Sequence, residues 1–131
     1  MDKKVQYWID LAEYDLETAE AMLETKRLLY VGFMCHQVIE KALKGYYVYV
    51  KDDIPEKIHH LIKLAKQSGL YDLFSLEHKK VLDRLTPLNI EARYPSEKEK
   101  LFQALTKEKC KDILVMTKEL FQWIKLQLSK D

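Results

Sequence analysis

Glycine and proline are scarce in this chain, three of each in 131 residues. So few breakers leave room for long uninterrupted elements. No glycine-rich phosphate loop of the GxxxxGK[ST] or GxGxxG kind occurs, and no serine stands in a Gly-x-Ser-x-Gly setting. The two cysteines, Cys35 and Cys110, lie far apart in apolar surroundings without CxxC or ligand-like spacing, so they read as reduced core thiols. Charge of one sign is lacking too. Lys plus Arg number 22 against 21 Asp plus Glu, a balance that gives no bulk field toward nucleic acid or membrane; any polyanion binding must be local. The apolar run from Leu28 to Val50 is broken by charge and does not make a bilayer span. Met1-Asp2-Lys3-Lys4 passes directly into an amphipathic pattern rather than a signal peptide, so the expected location is cytoplasmic.

What remains is 47% apolar and 33% charged, the composition of one helical domain over residues 1–131. Val5, Trp8, Ile9, Ala12, Leu16, Ala19 and Leu23 recur at helical spacing. Tyr7, Leu11, Tyr14 and Met22 form a second strip on this first helix, a candidate contact with another subunit. Residues 1–26 carry seven acids against three bases, whereas 27–51 carry four bases against one acid. The contrast favours an antiparallel hairpin of the first two helices. The second helix is expected over about 29–50, ending before Pro55, even though Tyr46-Tyr47-Val48-Tyr49-Val50 alone reads as a strand.

A third helix carries Ile58, Leu61, Ile62, Leu64 and Ala65 and stops at Ser68-Gly69, with His59 and His60 at its start in a capping or packing role. Ser75 caps a fourth helix that Pro87 kinks or ends near Thr86. Periodicity fades over 89–100, which reads as an exposed connection, and His78 reads as a solvated helix residue. Thr106 caps a final helix with Cys110, Ile113, Leu114, Thr117, Leu120, Phe121, Ile124 and Leu128 on its apolar face. The expected fold is all-α, a five-helix up-and-down bundle with a long N-terminal helical hairpin.

One stripe inside the most apolar helix carries chemistry. His36, Gln37, Glu40, Lys41 and Lys44 share a face, and burying such groups is costly unless they pair with one another or with a ligand. That leaves two readings, an internal network and a binding site. His36 and Glu40 at i and i+4, with His59-His60 in reach, suggest metal ligands. However, neither HExxH nor the paired Glu-x-x-His of a di-iron bundle is present, so no metal or cofactor is expected. Converging Lys, Arg and His side chains can instead hold a phosphate through charge-assisted hydrogen bonds, and Arg93-Tyr94 offers a partner from the distal loop.

Trp8 with Ala12, Asp15-Leu16 and Ala19, then His36-Gln37-x-x-Glu40-Lys41-Ala42-Leu43-Lys44, then His59-x-Leu61, then Ala92-Arg93-Tyr94-Pro95, resembles the HEPN family in order and approximate spacing. The resemblance implies a five-helix bundle that homodimerises. It also implies a small nucleotidyltransferase partner, in toxin and antitoxin fashion. Many family members are metal-independent ribonucleases with an Arg-x(4 to 6)-His motif. Here no histidine follows Arg27, Arg84 or Arg93 at that spacing. The expectation is therefore a non-catalytic subunit that binds nucleotide or RNA phosphate through His36, Lys41, Lys44, His59 and Arg93, supported by Gln37, Glu40 and Tyr94. The alternatives are a ribonuclease with a rearranged His and Arg pair and a purely structural interaction module.

Overall fold

A computed structural model describes residues 1–129, and among these residues the chain is all-α with no strand. Six helices follow one another: α1 (Lys3–Glu24), α2 (Leu28–Lys51), α3 (Leu61–Gln67), α4 (Leu76–Leu85), α5 (Pro95–Ala104) and α6 (Lys107–Leu128). Short 3-10 turns at Leu70–Leu73, Thr86–Leu88 and Ile90–Ala92 join them. Asp2 starts α1 by accepting a hydrogen bond from the Lys4 backbone at 2.7 Å. Only Thr25, Lys26 and Arg27 separate α1 from α2, and Lys26 takes a left-handed φ of 61° to reverse the chain. A connection this short holds the two helices antiparallel. The strand-like tail from Tyr46 continues α2, which ends where Asp52 turns left-handed at φ 49°.

The core forms around α2, which packs on α1, α6 and α3. Val31, Cys35, Val38, Ile39, Ala42 and Leu43 meet Val5, Ile9, Ala12 and Ala19 of α1 and Ile113, Leu120, Phe121 and Ile124 of α6, all buried. Despite this burial, no described helix is long and apolar enough to cross a membrane. Small residues let the hairpin close. A Cβ built on Gly45 stands 3.1 Å from Trp8 Cβ and 3.3 Å from Ile9 Cδ1, tighter than ordinary packing. Gly45→Val should therefore destabilise the fold by about 1–3 kcal/mol in urea titrations, outweighing the gain in helix propensity from losing glycine.

The stretch 89–100 corrects the sequence expectation. It is not a connection but the 3-10 turn Ile90–Ala92 followed by α5, which raises the helix count to six. Pro95 sits in the first turn of α5 with a pre-set φ, and Glu97 places negative charge there. No residue of α5 is buried, so no apolar stripe marks it in the sequence. His78 corrects another expectation. Its Nδ1 accepts from the Ser75 backbone while Ser75 Oγ accepts from the His78 backbone, and its half-buried ring lies 4.5 Å from that of Trp123.

Candidate functional site

The central stripe of α2 is built on Glu40, whose side chain is 2% exposed. Its Oε2 accepts from Lys44 Nζ at 3.2 Å, one helical turn away, and its Oε1 lies 3.0 Å from His59 Nδ1 and 3.9 Å from His36 Nδ1. Lys44, 8% exposed, also lies 5.6 Å above the Trp8 ring, so its charge meets a carboxylate and an aromatic face rather than water. His36 is buried, with Nδ1 at 3.3 Å from Gln37 Oε1. Lys41 turns to the opposite side of the stripe and donates to Asp15 of α1 at 2.8 Å, tying the acidic first helix to the basic second.

His59 differs from the rest. Its side chain is 65% exposed although its Nδ1 touches a buried carboxylate. With the Glu40 carboxylate as acceptor, Nδ1 carries the proton, which leaves Nε2 outside this bond on a largely exposed ring. The extended segment before α3 makes this possible. His60, not His59, is the α3 N-cap, accepting from the Lys63 backbone through Nδ1 at 3.2 Å, so His59 stays outside the helix. His59 then lines a cleft of about 200 Å³ together with Phe33, Gln37, Asn89, Glu91 and Ala92. Sequence reading overlooked Phe33, Asn89 and Glu91; the latter two flank Ile90 just ahead of the Ala92-Arg93-Tyr94 motif, in a stretch without periodicity.

Arg93 lies just beyond that lining. Its Nη2 donates to the Thr86 carbonyl and its Nη1 to Glu97, both at 3.3 Å, while its buried Nε has no partner. Tyr94 is exposed and precedes α5 without a side-chain cap bond. The structure thus joins His36, Glu40, Lys44 and His59 in one cluster, places Arg93 on the adjoining turn, and sends Lys41 elsewhere. Among the described residues no three His, Cys, Asp or Glu side chains converge as a metal site. Both cysteines are free and buried, and burial pushes the Cys35 thiol up to about 12, which removes it as a nucleophile.

Burial also lowers the His36 pKa; the hydrogen bond to Gln37, the Glu40 charge and a hydrogen bond with the His59 backbone oppose this, and the charge of the His59 ring adds to it. The unfolded chain then binds a proton that the folded chain resists. Stability contributed by neutral His36 is therefore full above about pH 6.5 and falls as pH drops toward the lowered folded value. Denaturation midpoints followed from pH 7.5 to 5 should decline, by at most about 1.4 kcal/mol per pH unit from this residue. His36→Gln should flatten the decline, leaving the part due to His78, which burial also lowers.

A family model described as HEPN domain matches residues 5–127. Two solved structures share the fold. The protein TT1696 from Thermus thermophilus superposes with a TM-score of 0.79 at 16% identity, covering 95% of this chain and 98% of that one. The second, ST0689, an archaeal HEPN homologue, gives a TM-score of 0.75 at 19% identity over 98% of this chain and 100% of the other. No curated protein matches the sequence.

Proposed function

Since the chain belongs to the HEPN domain family, we propose that it is a non-catalytic subunit binding a nucleotide or RNA at the cleft beside His59, as a homodimer working with a small nucleotidyltransferase. The observation that carries this reading is an exposed imidazole held by a buried carboxylate at the rim of a cleft. Buried carboxylates that fix one histidine tautomer are a means of orienting the other ring nitrogen toward a ligand. His59 Nε2 supplies a hydrogen bond at the cleft mouth, and Arg93, next to Ala92, supplies the second charge through a guanidinium whose present partners are one carbonyl and one half-exposed carboxylate. Lys44, Glu40 and His36 support His59 from beneath. Exposed Tyr7 and Tyr14 on α1 are the surface proposed for the second copy.

The same geometry favours one other reading. An oriented imidazole is competent to take a proton from a ribose 2′-hydroxyl, and Arg93 to steady the phosphate, which would make the protein a metal-independent ribonuclease. Calorimetric titration with mononucleotides and short RNA tests binding, and His59→Ala should weaken it about tenfold or more. No binding at millimolar ligand removes the binding claim. Cleavage of labelled RNA in EDTA that disappears in both His59→Ala and Arg93→Ala would establish the ribonuclease and displace the non-catalytic subunit. Copurification with a nucleotidyltransferase expressed from the neighbouring reading frame tests the partner.

A further inference from the structure

The cleft that begins at His59 has a lining ill suited to phosphate. Besides His59 it contains no cation, and Glu91 brings a carboxylate that repels an anion. Among the described residues Glu91 and Asn89 have no side-chain hydrogen bond or ion pair, and Gln37 uses only its Oε1, toward His36. Phe33 adds an aromatic wall. At about 200 Å³ the space falls below the range of roughly 300–1,000 Å³ that holds drug-sized ligands, so it suits one ring system rather than a whole nucleotide.

We propose, resting on the nucleotide reading above, that this cleft holds a single nucleobase and prefers guanine, with Glu91 as its specificity-determining residue. The ligand must be planar to use Phe33, must offer donors to a carboxylate, and must offer acceptors to the amide N–H groups of Gln37 and Asn89. Guanine alone among the common bases presents two adjacent donors, N1–H and the N2 amine, that a carboxylate accepts together. It also carries O6 and N7 for the amides. Adenine and cytosine offer one exocyclic amine, and uracil one ring N–H. A guanidinium from a protein partner shares the paired donors but has no acceptor for the amides. With the base in the cleft, ribose and phosphate fall at the His59 rim.

Titration of the full chain with GMP, IMP, AMP, CMP and UMP tests this. GMP should bind about tenfold tighter than AMP, CMP or UMP, with IMP, which keeps N1–H but lacks the amine, between them. Glu91→Gln, at an exposed position where folding is undisturbed, should bring GMP to the level of AMP, and Phe33→Leu should weaken all five. A guanine preference that survives Glu91→Gln, or equal affinities that depend on His59, would overturn the base assignment and leave the nucleotide reading standing. Absence of binding for every nucleotide would overturn both.

Discussion

Glu40→Ala is expected to cost about 3–5 kcal/mol of folding stability, the amount associated with leaving one member of a buried ion pair without its partner. Lys44 is the residue stranded. Its side chain is 8% exposed, its carboxylate neighbour is gone, and the Trp8 face 5.6 Å away recovers only part of the loss. Equilibrium urea unfolding measures the effect. The double substitution Glu40→Leu with Lys44→Met should recover most of the stability, because exchanging a buried pair for apolar side chains is often neutral or favourable. It should not restore ligand binding, since His59 loses its carboxylate in either variant. That separation of stability from binding distinguishes a site from a network that only fixes helix register. A double variant that binds nucleotide as well as the wild type would show that Glu40 and Lys44 serve only to hold the helices and take no part in orienting His59.

Phe121→Ala should cost a similar amount, about 3–5 kcal/mol, from the opposite side of α2. Phe121 is among the largest fully buried side chains and sits on the α6 face that packs against the hairpin. Truncation removes the transfer free energy of the ring and leaves a cavity that neighbouring helices fill only in part. Lys125, whose ammonium lies 4.5 Å from the ring centroid, loses its aromatic contact as well. Phe102→Ala is the control. It stands 65% exposed on α5, and its replacement should change stability by no more than about 0.5 kcal/mol. Thermal and urea unfolding of the two variants side by side decide whether the core lies where these burial values put it.

Much of the fold is legible in the sequence because burial and periodicity coincide there. The apolar positions of α1, α2 and α6 recur at helical spacing, and the N-caps Ser75 and Thr106 stand where the chain uses them. No residue of α5 is fully buried and only Leu101 packs against the core, so neither spacing nor composition separates a helix from a loop; proline in the first turn was the available signal. The site divides the same way. Pairing of Glu40 with Lys44 follows from i, i+4 spacing. Which cation leaves the stripe does not, because it depends on Asp15 of α1 reaching Lys41 across the hairpin. The cleft lining is harder still. Phe33 looks like one more apolar residue of α2, and Asn89 precedes and Glu91 lies within a 3-10 turn that no pattern announces. Their common surface exists only once the turn folds back over α2.

The orientation of His59 carries the functional reading, and long-range 15N–1H spectroscopy of the histidine side chains tests it most directly. In its neutral form His59 should show a protonated Nδ1 and a bare Nε2, and Glu40→Gln should shift that tautomer balance while leaving the His60 and His78 signals in place. A His59 ring protonated at Nε2 in the wild-type protein, or one indifferent to Glu40→Gln, would contradict the account.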